Sequence, residues 1–128
     1  MDTIQRTLII EGRLDGLNEY TKACRTNRYV GAECKRRNED RIIAAILEQL
    51  RGVQFEGRTY MHFRWIEPSK RRDLDNICSA KKFILDALVR SGIIETDGWR
   101  GVSGFTDEFD IDAENPRIEV VIEGRIKE

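Results

Sequence analysis

At 128 residues, 40% of them hydrophobic, the chain is sized for a single compact domain spanning 1–128, with apolar content enough for a core if the layers stay thin or the chain dimerises. Charged residues make up 35% of it, yet net charge is only −1, so any hold on a polyanion has to come from how charge is spread. No run approaches the roughly 20 apolar residues of a membrane helix. The first residues lack the basic segment and apolar core of a signal peptide. Cys24, Cys34 and Cys78 lack metal-ligand spacing, which implies reduced thiols; the expected setting is cytoplasmic, with no membrane partner.

Taken in chain order, residues 3–11 predict a first strand, Gly12 to Gly16 a turn, and Asn18 the cap of a short helical start. Residues 34–51 place Ile42, Ile43, Ile46, Leu47 and Leu50 at helical spacing, ended by Gly52. Residues 58–67 alternate Met61, Phe63 and Trp65 against Tyr60, His62 and Arg64, a half-buried strand that Pro68 ends. A second helix is predicted over 77–90, with Ile77, Ala80, Ile84, Leu85 and Leu88 inward and Gly92 just past its end. Two further strands follow at 99–106 and 117–125, joined across the acidic run from Asp107 to Glu114 by a solvated hairpin connection that Asn115-Pro116 closes. The sum is an α/β domain: one small mixed sheet of about four strands with two main helices packed on it.

Charge is uneven along this frame. Lys22, Arg25, Arg28, Lys35, Arg36, Arg37 and Arg41 outnumber the acids of their stretch, and Lys70-Arg71-Arg72 forms a second basic block, whereas the chain beyond Ile94 is acidic. Such a division suits a face that holds a phosphate backbone; its plainer meaning is a set of solvated faces. Directly behind the second block stand Asp73 and Asp75, one residue apart. In extended backbone both would project from one side, where they repel unless a cation lies between them. Carboxylate oxygens suit hard ions such as Mg²⁺, and arginines beside them favour a polyanion, so the simplest chemistry is metal-assisted cleavage of a phosphodiester. Alone, the two acids would equally be a turn and a helix cap.

The run Arg72-Asp73-Leu74-Asp75-Asn76, then Lys82, Asp86-Ala87-Leu88 and Gly92-Ile93-Ile94-Glu95-Thr96-Asp97, resembles the RusA family of Holliday junction resolvases. Lys82 lies four residues before Asp86, and Asp97 eleven after it, as in that family. The front half agrees through Leu17-Asn18-Glu19-Tyr20, Asn27-Arg28-Tyr29 and Lys35. The resemblance implies a RusA-like fold and a magnesium-dependent homodimer, with Mn²⁺ as a possible substitute, that resolves four-way DNA junctions by paired symmetric nicks in recombination and repair. It implies Asp73, Asp75 and Asp97 as metal ligands, Lys82 as the cation facing the scissile phosphate, and Lys70, Arg71, Arg72, Arg28 and Lys35 as the DNA-binding set. A bacterial cell, with a phage or prophage source, fits such an enzyme.

Two features depart from the family pattern. Lys82 stands seven residues beyond Asp75, about three more than the family spacing, so the extra residues fall within Ile77 to Ala80 and leave Lys81 as the rival for the lysine role. Thr96 occupies a position where relatives carry an acid, with Glu95 as its possible substitute. Asn76 reads as a helix cap. His62 reads as a surface or interface residue, and Trp65 and Trp99 as core or dimer-interface anchors, stacking on unpaired bases being the alternative. Two other functions stay open: a junction- or duplex-binding module with a degenerate site, and another metal-dependent phosphoryl-transfer enzyme, against which the lack of a Gly-rich phosphate loop weighs.

Overall fold

A strand that alternates apolar and polar side chains needs one dry face, and three of the four strands of this chain meet that need on the same side of one sheet. In the computed structural model, which describes residues 2–128, the order is β1 (Ile4–Glu11), α1 (Leu17–Thr26), α2 (Arg28–Gln49), β2 (Phe55–Glu67), α3 (Leu74–Cys78), α4 (Lys81–Arg90), β3 (Val102–Ile111) and β4 (Arg117–Ile126). The sheet runs β1-β4-β2-β3; β3 lies parallel to β2 and the other pairs are antiparallel. A parallel pair cannot be joined by a tight turn, and α3 with α4 supplies the crossover.

Leu8 and Ile10 of β1, Met61, Phe63 and Trp65 of β2, and Ile118, Val120 and Ile122 of β4 pack with Ile42 and Ile46 of α2 and Ile84 and Leu88 of α4. Each such side chain taken from water contributes about 1.5–3 kcal/mol, so this one layer between sheet and helices carries the stability. The Met61, Phe63 and Trp65 stripe is therefore core and is not free to form a dimer contact. The opposite face of the sheet is polar: His62 Nδ1 lies 2.9 Å from Thr106 Oγ1, His62 Nε2 lies 3.1 Å from Glu123 Oε2, and Arg64 Nη2 donates to Asp110 at 2.8 Å. His62 belongs to that surface ladder. Among the described residues, no helix is long and apolar enough to cross a membrane, and all three cysteines are free thiols.

Several elements differ from the sequence reading. Three helices of ten residues or more are present, not two, with α3 as a further five-residue turn. The extra one is α1, which buries none of its residues fully, although Leu17, Tyr20 and Cys24 recur at helical spacing and Tyr20 packs against the core. Asn18 is not its cap. Gly16 is, and the Asn18 N–H is capped from outside by Asn76 Oδ1 at 2.8 Å. The expected second helix is broken at Ser79 and Ala80. The β3–β4 link is no hairpin, because β2 lies between those strands. Asp107 to Asp110 belong to β3 itself, where Trp65 Nε1 and Lys81 Nζ donate to Asp107 at 2.8 and 2.6 Å.

Candidate functional site

Extended backbone ends at Asp73 (φ −70°, ψ 154°), which caps α3, and Asp75 already lies in the first turn of that helix. Residues two apart on a helix do not face one another, so the side-by-side placement expected of an extended Asp-Leu-Asp does not arise. Both acids are exposed, and Asp75 Oδ1 accepts the Asn76 N–H at 2.9 Å. Asn76, by contrast, is buried and ties α3 to α1, its amide reaching both Asn18 N and Glu19 Oε2. The approach is so close that a Cβ on Gly16 would lie 2.4 Å from the Asn76 carbonyl oxygen.

Lys82, in the first turn of α4, meets Asp97 as its spacing suggests. Its Nζ lies 2.8 Å from Asp97 Oδ2 and 2.9 Å from Asp86 Oδ1, one helical turn on. The hydrogen bonds to Asp97 and then Asp86 push the Lys82 ammonium up to about 12. Lys82 in turn holds the Asp97 carboxyl below the usual aspartate range. The alternation of charge continues inward: Lys35 Nζ of α2 stands 3.6 Å from Asp86 Oδ2 and 3.8 Å from Glu39 Oε2, and Arg90 Nη1 donates to Glu39 Oε1 at 2.8 Å. Glu39 is buried, and its Oε2 has no hydrogen-bond donor. Lys35, Lys82 and Asp86 border a cleft of about 330 Å³ between the start of α1 and α4, together with Leu17, Tyr20 and Phe83.

The two neighbouring lysines have opposite fates. Lys81 is 13% exposed, ion-paired to Asp107 at 2.6 Å with its ammonium 3.9 Å from the Phe105 ring centre, whereas Lys82 is 66% exposed. Only Lys82 is placed to meet a ligand from solution. Among the basic residues expected to grip DNA, Lys70, Arg71 and Arg28 are exposed and Lys35 lies in the cleft. Arg72 is 14% exposed and engaged inside the fold: Nε and Nη2 fork onto Glu67 at 3.0 and 2.9 Å, and Nη1 donates to Glu19 at 2.8 Å and to the Leu14 carbonyl at 3.1 Å.

Asp73 lines a different cleft from Lys82, one of about 450 Å³ at the end of β2 with Glu67, Lys70, Phe109 and Ile111. Among the described residues no three acids, histidines or cysteines are grouped to hold a metal ion. In this arrangement Asp97 is engaged by Lys82, while Asp73 borders the other cleft. Mg²⁺ asks for less, one or two carboxylates with water and phosphate oxygens completing its shell, and the exposed Asp73 and Asp75 carboxylates match that demand in kind. Glu95 is exposed just before Asp97.

Residues that sequence reasoning passed over are Asp86 as the acid shared by Lys35 and Lys82, and the buried Glu39. Both lie on the helix faces that meet, and the i, i+4 spacing of Lys82 and Asp86 and of Lys35 and Glu39 is the signal that shows them. Compared with protein-family models and with curated proteins, the chain finds no match in either.

Proposed function

We propose that the chain is a structure-specific endodeoxyribonuclease that nicks four-way DNA junctions. The observation that carries this reading is the exposed Lys82 ammonium set against Asp97 and Asp86 at the mouth of a cleft, at the spacing of a junction resolvase. Lys82, with Lys35 behind it, meets the scissile phosphate and offsets charge as it builds on the phosphate oxygens; a phosphate arriving there competes with Asp97 for the ammonium. Lys70, Arg71 and Arg28 hold flanking backbone. Asp73 and Asp75 are the exposed acids that would hold Mg²⁺, or Mn²⁺ in its place, in the cleft beside that of Lys82; the ion would lower the pKa of a bound water and offset charge on a phosphate drawn between the two clefts. Two opposed nicks call for two sites, which a twofold homodimer supplies by symmetry.

A second reading, a junction-binding module without cleavage, is favoured by one observation: the Asp86 and Asp97 carboxylates already occupy the Lys82 ammonium. Incubation of the whole chain with a labelled four-way junction, a matched duplex and a nucleoside triphosphate, with and without Mg²⁺, separates these. Paired nicks in the junction that vanish in Asp75→Asn support the endonuclease. Junction binding without nicks at any Mg²⁺ or Mn²⁺ concentration supports the binding module. Hydrolysis of the triphosphate alone refutes both.

A further inference from the structure

The chain has two tryptophans, and the fold treats them oppositely. Trp65 is 1% exposed with its N–H on Asp107; Trp99 is 87% exposed, the most open large hydrophobic side chain among the described residues. An exposed indole on a floppy loop would mean little, but this loop is held tightly. The Gly101 and Val102 N–H groups both donate to the Gly98 carbonyl at 3.0 Å, and Gly98 N–H donates to Thr96 Oγ1 at 3.1 Å. The buried Thr59 donates to the Gly101 carbonyl through both its N–H, at 2.9 Å, and its hydroxyl, at 2.8 Å. A Cβ on Gly101 would lie 1.9 Å from the Thr96 carbonyl oxygen, so the turn closes only with glycine there. The fold keeps an indole ring in water on a fixed support.

The surroundings say what the ring meets. Trp99 lies two residues after Asp97, whose carboxylate holds Lys82, so its Cα is within about 7 Å of the Asp97 Cα. Its neighbour Arg100 is exposed and belongs to no ion pair among the described residues. The other flanking residues are Gly98 and Gly101, not the apolar side chains that ring a tryptophan at the centre of a protein interface. A flat aromatic face beside an unpaired guanidinium and an exposed ammonium is the pairing that nucleic-acid binders use to stack a base while gripping its phosphate.

We infer that Trp99 is a stacking platform for an unpaired or unstacked nucleobase, with Arg100 on the adjoining phosphate. This rests on the reading of the Lys82 site as a phosphodiester site, and it adds a reason for choosing branched over continuous DNA: along a fully paired duplex no base face is free except at the ends, whereas an opened junction also frees them at its crossover.

The test uses intrinsic fluorescence of the whole chain without divalent metal, titrated with a fluorescein-labelled four-way junction or a duplex of equal length, while label anisotropy reports binding separately. Because Trp65 is buried, acrylamide quenching reports Trp99. Bound junction is expected to quench Trp99 emission and to lower its acrylamide accessibility severalfold. Trp99→Ala is expected to weaken junction binding about tenfold and duplex binding less than twofold, and Trp99→Phe, which keeps a ring, to restore most of the loss. Anisotropy that rises normally with the junction while Trp99 emission and the Trp99→Ala affinity stay unchanged overturns the stacking role and leaves the nuclease reading intact. A Trp99→Ala chain that sediments as a monomer where the parent is a dimer overturns it in favour of a second copy of the chain. No anisotropy change with either DNA overturns both.

Discussion

Arg72 is the residue on which the expected DNA contact and the observed packing most differ, and replacing it with methionine separates them. The guanidinium makes two hydrogen bonds to Glu67, one to Glu19 and one to the Leu14 carbonyl, so it joins the end of β2, the start of α1 and the loop between β1 and α1. Glu67 is buried, and without its partner it would be left as a charge in a dry site. Breaking a buried pair from one side costs about 3–5 kcal/mol. Arg13, whose Nη1 lies 3.9 Å from Glu67 Oε1, can swing in and recover part of that, which places Arg72→Met near the lower bound, about 3 kcal/mol. For a domain of this size that is a fall in Tm on the order of 10 °C. Arg72→Lys is expected to fall nearly as far, because one ammonium cannot reproduce the fork onto Glu67. Thermal unfolding followed by circular dichroism, with urea unfolding as a check, measures both. A Tm within about 2 °C of the parent, together with a loss of junction affinity, would refute the structural role and return Arg72 to the phosphate contacts.

The paired lysines make a sharper contrast. Lys81→Met should lower stability by about 2 kcal/mol, since it strips Asp107 of its cation and removes the charge over the Phe105 ring, while Lys82→Met should change stability by less than about 1 kcal/mol yet reduce junction nicking by at least about a hundredfold. Equal effects of the two on both urea midpoint and nicking rate would refute that division. Asp97→Asn should bring the Lys82 ammonium down from about 12 toward the ordinary value near 10.5, not all the way, because Asp86 stays in contact; an NMR titration of the lysine side chain reads it, and an unmoved Lys82 would exclude the Asp97 bond as the main cause. The depressed Asp97 contributes stability above the ordinary aspartate value near 3.9 and loses it as pH falls through the folded-state value; the raised Lys82 contributes below about 10.5 and loses it as pH rises toward 12, so the pair is intact from about pH 4 to 10.5. Gly101→Ala should cost about 2 kcal/mol or more, as a Cβ 1.9 Å from a carbonyl oxygen forces the 96–101 turn apart; an unchanged urea midpoint would show that the turn opens without cost.

How much of this was legible follows from how far each feature depends on its own neighbours. The strands of the core were plain because alternation is local: Met61, Phe63 and Trp65 against Tyr60, His62 and Arg64 leaves one choice of face. Gly52 and Gly92 marked the ends of α2 and α4, and both take the left-handed turn, with φ of +79° and +75°. The start of α2 was missed by six residues because 28–33 are exposed apart from Gly31 and carry no apolar repeat; its one sign was Asn27, whose Oδ1 caps Val30 N–H at 2.9 Å. The acidic run was misplaced for a different reason. Acids normally mark solvated loops, but Asp107 and Asp110 sit in an edge strand because Lys81, Trp65 and Arg64 from other elements neutralise or hydrogen-bond them, and no local pattern announces a partner that distant.

The site shows the same division at finer scale. Spacing from Lys82 to Asp86 to Asp97 was readable because α4 is a regular helix ended by a glycine turn, so counting residues amounts to counting angles. Between Asp75 and Lys82 that counting fails. Ser79 and Ala80 keep right-handed backbone angles, but Ala80, Lys82 and Phe83 donate to carbonyls three residues back, not four. Such turns advance about 120° per residue in place of 100°. Over two or three residues the faces slip by about 40–60°, so a residue count carried across Ser79 and Ala80 no longer fixes how the Lys82 side chain stands to the helix before it. Ile77 to Ala80 thus form a tight seam between α3 and α4: downstream of it the regular helix brings Lys82 onto Asp86 and Asp97, while upstream of it Asp73 borders a separate cleft.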